Sequence, residues 1–174
     1  MGGDGLTIEQ VIQLESRLAK ALAQSATLEE ALGEGVRAIS DNLPLMACGV
    51  YLHEPVSAAL RLASESAGSV SLVHAFNNES EFVQRLDGES KSFVMPGSLF
   101  YEQPEQPQEK PDAFIIPFSG SSEACGALLC LYAEDSDLSE PVQNMVEAAA
   151  ASIGSAVSRM KMEERIHAIF NNIG

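Results

Sequence analysis

Two apolar runs near the C-terminal end, Ala113–Phe118 and Ala124–Ala133, flank a Gly/Ser turn, Ser119–Glu123. Short apolar runs around such a turn predict a β-hairpin. In the second run Cys125, Ala127, Leu129 and Leu131 fall on one face, and Gly126, Leu128, Cys130 and Tyr132 on the other. An edge or half-solvated strand would alternate apolar with polar residues. A strand apolar on both faces therefore predicts a central position in a sheet covered on both sides. Gly126 removes a side chain where another backbone or a ligand comes close. Pro117 has no N–H for a ladder, which puts it near a strand end or a bulge.

Upstream, Thr7-Ile8-Glu9-Gln10 is a capping box that opens a helix. Its apolar positions are Val11, Leu14, Leu18 and Ala21, a spacing suited to packing on another helix. Thr27-Leu28-Glu29-Glu30 is a second box. It opens a helix with Leu28, Ala31, Leu32, Val36, Ile39 and Leu43 as its stripe, closed by Asn42 and Pro44. Met46–His53 reads as a strand with Met46, Cys48, Val50 and Leu52 on one face. Leu60–Glu65 is its antiparallel partner across Glu54-Pro55, ended by Gly68. Val70–Phe76 is either a short helix or extended chain. Glu79–Leu86 predicts a helix with Phe82, Val83 and Leu86 inward, and Ser92–Met95 a strand. Leu99-Phe100-Tyr101 is an apolar island. Glu102–Pro111 holds three Pro, three Gln, three Glu and one Lys, the composition of a solvated, mobile loop.

The last helix opens at Ser139, with Pro141 in its first turn. Its apolar positions are Val142, Val146, Ala149, Ile153, Ala156 and Met160, shifting phase to Met162, Ile166, Ile169 and Ile173. It runs for about 30 residues, or roughly 45 Å. Small side chains at Ala148–Ala151, Gly154 and Ser155 admit close approach by a helix or by the domain's own sheet. The element order predicts an α+β fold: a central antiparallel sheet of about five or six strands. The N- and C-terminal helices pack on one face and the irregular segment on the other.

Composition narrows the function. A chain of 174 residues fits one domain with helix to spare. The net charge is −15, and between Ala38 and Ser158 the cations are Arg61, Arg85, Lys91 and Lys110. That excludes a basic nucleic-acid or anionic-membrane surface. No apolar run reaches the roughly 20 residues of a membrane span, and Met-Gly-Gly-Asp-Gly has no secretory pattern, so a cytoplasmic protein is expected. Cys48, Cys125 and Cys130 have no metal-ligand spacing and read as buried, reduced thiols.

The segments Ile115-Ile116-Pro117-Phe118, Cys125-Gly126-Ala127-Leu128-Leu129 and Asp137-Leu138-Ser139-Glu140 together resemble the C-terminal half of a GAF domain. The match extends over Leu28–Met160. The C-terminal piece Glu164–Gly174 resembles the linker into a PAS domain. The resemblance implies a GAF/PAS-like module of a bacterial multi-domain sensory protein. Residues 1–26 would be an N-terminal signalling and dimerisation helix, 27–160 the GAF domain, and 161–174 an exit helix to a covalently linked PAS or output domain. Cyclic-di-GMP turnover and histidine kinase activity are examples of such outputs.

For function, the sequence carries no Gly-x-Ser-x-Gly, P-loop or His-Glu-x-x-His, and His53, His74 and His167 are scattered. A non-enzymatic domain is expected. Some GAF domains reduce free methionine sulfoxide, but this chain lacks Trp and the Gly-Val-Cys-Gly segment of those enzymes. In GAF domains the pocket lies between the sheet and the irregular segment, here Val70–Pro111. The resemblance makes His74, Phe76, Phe82, Arg85, Phe93, Phe100, Tyr101 and Cys125 the ligand-pocket candidates for a small molecule. The cyclic-nucleotide and bilin-ligating signatures are absent, and the sequence names no cofactor and no metal. The other reading is a ligandless dimerisation spacer. A homodimer is expected on either reading, with Val11, Leu14, Leu18, Val157 and Met160 as interface candidates.

Overall fold

The computed structural model describes residues 7–54, 59–67, 71–88, 91–102, 111–119, 124–133 and 138–173. Two helices open the chain, α1 (Ile8–Gln24) and α2 (Leu28–Asn42). Thr7 caps α1 reciprocally: its hydroxyl accepts from the Gln10 N–H at 3.1 Å, and the Gln10 side chain accepts from the Thr7 N–H at 3.0 Å. At α2 the second half of the expected box shifts by one residue. Thr27 accepts from the Glu30 N–H, but the Glu30 carboxylate accepts from Ala26.

The strands β1 (Ala47–Glu54), β2 (Ala59–Ala67), β4 (Ala75–Phe76), β5 (Phe93–Pro96), β7 (Pro111–Ser119) and β8 (Ala124–Ala133) form one sheet in the order β4-β2-β1-β8-β7-β5. Every neighbouring pair in it is antiparallel. Two further strands, β3 (Ser71–Leu72) and β6 (Tyr101–Glu102), pair with each other above it. A helix α3 (Glu81–Gly88) and a 3-10 turn (Gly97–Leu99) complete that layer, and the long helix α4 (Glu140–Ile173) closes the chain.

The expected α+β layering is what forms. β8 lies between β1 and β7 and is buried on both faces. Leu128, Cys130 and Tyr132 face a core shared with α1, α2 and α4, while Ala127, Leu129 and Leu131 face a second core under α3. Gly126 is where β1 comes close, because a Cβ there would collide with the Tyr51 carbonyl oxygen. Pro111 begins β7, and Pro117 lies just before the register shift at Phe118/Ser119, sites where a missing N–H is tolerated.

The structure changes four details. Val70–Phe76, left open between helix and extended chain, contains two-residue strands β3 and β4. Met46 precedes β1 and packs against the α3-side core, whereas Cys48, Val50 and Leu52 belong to the helix-side core. In β2, where Leu60, Leu62 and Ser64 were expected on one side, a register shift opposite Val50/Tyr51 pairs Ser64 with Val50 and turns it toward Gly33 of α2, while Leu60 and Leu62 stay on the α3 side. The small-residue patch of α4 packs inward on its own domain at Ala149, Ala150 and Gly154. A Cβ at Gly154 would sit 2.8 Å from the Phe118 Cβ. The expected loop within Glu102–Pro111, the turn within Ser119–Glu123 and Gly68 lie outside the described residues.

Candidate functional site

The face of the sheet away from α1, α2 and α4 is where a ligand was expected. Tyr51 rises from the middle of β1, Phe76 from the short strand β4, Phe82 from the first turn of α3, and Phe100 from the residue after the 3-10 turn. These four rings meet edge to face. Centroid separations are 5.5 Å for Tyr51–Phe76, 5.7 Å for Tyr51–Phe82, 5.0 Å for Phe76–Phe82, 5.6 Å for Phe76–Phe100 and 4.9 Å for Phe82–Phe100. That geometry sets ring edges against ring faces, the favourable arrangement of their quadrupoles. Tyr51, Phe82 and Phe100 are buried and Phe76 is half-buried.

Polar contacts tie this cluster to the backbone above it. The Tyr51 hydroxyl donates to the Val73 carbonyl at 2.7 Å. The Glu65 carboxylate accepts from the Leu72 N–H at 3.2 Å. Val73 N–H donates to the Phe100 carbonyl at 2.8 Å, and Leu62 N–H to the His74 carbonyl at 2.7 Å. Burial holds the Tyr51 phenol well above its ordinary range, and the negative charge of Glu65 adds to that.

Among the expected pocket residues, Phe76, Phe82 and Phe100 are brought into contact. Phe93 is buried in the same core and carries the Arg85 guanidinium over its ring at 4.7 Å. Tyr101 is half-buried against this core, whereas His74 and Arg85 are exposed. The side chain of Cys125 lies outside the described residues. Tyr51 is the central member that the sequence reading does not name. It sits at the parity opposite Cys48 and Val50 on β1, so strict alternation along that strand is the signal that identifies it.

The second candidate region is α4. Its buried positions run from Val142 to Val157. Beyond Met160 the apolar residues face solvent: Met162 is 50% exposed, Ile166 47%, Ile169 58% and Phe170 69%. Arg159 donates from its guanidinium to the Leu22 carbonyl at 2.8 Å, tying α4 to the last turn of α1 just before α4 leaves the core. The residues expected at a homodimer interface pack mostly within the domain. Leu14, Leu18 and Val157 are buried within the domain's own core, with Val11 and Met160 packed partly against it. Helices α1 and α4 spend those stripes on each other, α2 and the sheet. Among the described residues of α1 and α4, the large apolar side chains left exposed are instead Ile8 and Ile12 on α1 and those four on α4.

A cleft of about 410 Å³ lies elsewhere, along α1 and α2, lined by Arg17, Lys20, Ala21, Gln24, Ser25, Glu30 and Glu34. Arg17 is already paired with Asp41 at 3.0 Å, Glu34 with Arg37, and Glu30 with the Ala26 N–H. Its open, charged lining lacks the apolar wall typical of a small-molecule site. Among the described residues no group of three or more His, Cys, Asp or Glu gathers to hold a metal, and no helix is long and apolar enough to cross a membrane.

Known structures share this architecture at low sequence identity. The GAF domain of an Acinetobacter phosphoenolpyruvate-protein phosphotransferase aligns with a TM-score of 0.70 at 14% identity, over 90% of this chain and 96% of that one. The GAF domain of the corresponding Coxiella burnetii protein aligns at 0.71 and 15%, over 90% and 98%. A phycocyanobilin-bound GAF domain from a cyanobacterial phytochrome aligns at 0.67 and 15%, over 90% and 98%. This chain has the GAF fold. No family model matches it, and no curated protein matches it. In the terms of that fold, the aromatic cluster occupies the sheet face opposite the terminal helices, and α4 is the helix by which the GAF module reaches beyond its own core.

Proposed function

We propose that this chain is a non-enzymatic regulatory GAF module that converts an event on the aromatic face into a change in the packing of α4. The observation that carries the reading is the continuity of α4. One 34-residue helix is buried on the sheet from Val142 to Val157 and then continues with exposed apolar residues. A helix cannot bend sharply without a break in its hydrogen bonding. A small shift of the sheet under its first half is therefore transmitted to its second half. On this reading residues 161–174 lead to an output domain, residues 1–26 and 161–174 support a homodimer, and the protein works in the cytoplasm.

The input on this reading is a small, largely apolar molecule. It enters beside Phe76 and Tyr101, the half-buried rim of the cluster, and displaces ring-to-ring contacts. The experiment is native mass spectrometry of the purified chain compared with its denatured mass, followed by hydrogen exchange of α4 with any retained molecule present and removed. Mass held only in the native state, with changed exchange in α4, supports the sensor. A retained molecule that leaves α4 exchange unchanged defeats it.

A second reading is favoured by the aromatic cluster itself. Tyr51, Phe76, Phe82 and Phe100 already fill space against one another, as a domain that binds nothing would require. The module is then a dimerising spacer. A ligand-free dimer in the native spectrum supports that version, and a ligand-free monomer defeats both.

A further inference from the structure

The helix-side core contains a feature that the signalling reading does not use. Cys48 on β1 and Cys130 on β8 are direct partners in the antiparallel register, so their side chains leave the sheet on the same face, opposite one another. Both are free thiols and both are fully buried beneath the helices. The neighbouring Cys130 side chain, more than burial, holds the Cys48 thiol above its usual range. Side chains directly opposite in such a pair have Cβ atoms about 4.5–5.5 Å apart. A disulfide needs about 3.5–4.5 Å, so a small approach of two paired strands closes the gap.

We propose that Cys48 and Cys130 are a latent redox pair, oxidised to a β1–β8 disulfide by a small hydroperoxide that enters when the helical layer opens locally. The steps balance. One thiolate attacks the peroxide, its sulfur becoming a sulfenic acid as the O–O bond breaks and alcohol or water leaves. The facing thiol then attacks that sulfur, the S–S bond forms and water leaves. Two thiols are oxidised by two electrons, and the hydroperoxide is reduced. Burial covers both sulfurs in the closed state, so the reaction follows the opening of α1, α2 and α4. The confined site favours a peroxide over a bulky disulfide oxidant. The proposal stands on the strand register and does not depend on the signalling reading.

The test uses the whole chain carrying Cys125→Ser, because Cys125 and Cys130 fall on one tryptic peptide: no Lys or Arg lies between Lys110 and Arg159. The folded protein is treated with hydrogen peroxide, quenched, denatured, alkylated and digested. The expected result is a cross-linked pair of peptides, one with Cys48 and one with Cys130, each pair lighter by about 2 Da than its two reduced components. Its rate of formation is expected to rise in urea below the unfolding midpoint. Cys48→Ala and Cys130→Ala should each abolish the link. In the linked protein, hydrogen exchange of β1 and β8 should slow. Thiols that remain alkylatable or pass to sulfinic acid without linking would overturn the proposal. So would a link that forms only in fully unfolded chain.

Discussion

On one face of the sheet the cover is long: α1, α2 and α4 contribute helices of 17, 15 and 34 residues. On the other it is short: α3 has eight residues, and β3, β4 and β6 have two each. The helix side is filled mainly by aliphatic side chains such as Leu14, Leu32, Ile39, Val146 and Ile153. The opposite side concentrates its apolar bulk in a few rings, with Tyr51, Phe82 and Phe100 fully or nearly fully buried. Short elements have few local hydrogen bonds to lose and open at lower cost than long packed helices. On the proposed function the two faces do different work: the helix side supplies most of the stability, and the aromatic side is the part that rearranges around a small molecule.

The largest expected effect lies at the strand pair both faces share. Gly126→Val drives a branched side chain into the Tyr51 carbonyl, a backbone atom with no freedom to swing away. A loss of about 5 kcal/mol or more, read as loss of cooperative urea unfolding, is expected. A cost under about 1 kcal/mol would mean that β1 and β8 separate easily, and the two-core picture would fail.

Next, Phe82→Ala empties the centre of the aromatic cluster, at about 3–5 kcal/mol. Hydrogen exchange should rise in α3, β3 and β6 while α1 and α2 keep their protection. Equal loss on both faces would erase the contrast.

Tyr51→Phe removes the donor to the Val73 carbonyl and should cost about 1–2 kcal/mol. It also tests the pH response. The folded phenol is held above its unfolded value near 10, so its contribution is complete below about pH 10 and is lost as pH rises further. Wild-type stability should fall in that alkaline range, and Tyr51→Phe should flatten the fall. An unchanged slope would show that Tyr51 does not carry it.

The smallest effect on stability is expected outside both cores. Ile166→Ser, at a position 47% exposed, should change the unfolding free energy by no more than about 0.5 kcal/mol. Sedimentation should nevertheless show weaker self-association if α4 pairs with a second copy. An unaltered dimer would move the interface away from this stretch.

The hairpin was readable because its signal is local and periodic. Ala124–Ala133 alternates strictly, and apolar residues on both parities require two covers. The same holds for the capped helices, whose Thr7 and Thr27 hydroxyls act within one turn. The candidate site was legible only in part. Phe82 and Phe100 are large apolar residues in an irregular stretch, but their meeting with Tyr51 depends on a strand far away in the chain. His74 lies between two-residue strands, which impose no periodicity that separates inside from outside, and it faces solvent; Arg85 faces solvent because it is off the Phe82, Val83 and Leu86 stripe of α3.

From the sequence alone, then, came the order of elements, the central strand and a final helix that outruns its domain. Each rests on short-range spacing and capping. Tertiary structure decided which partner each face met. It turned Leu14, Leu18 and Val157 inward and left Met162, Ile166, Ile169 and Phe170 in solvent, although both sets have helical spacing. It also set Cys48 against Cys130, far apart in the chain, through the antiparallel register of β1 and β8. A stripe records that a helix has an apolar side. What that side covers depends on where the rest of the chain folds.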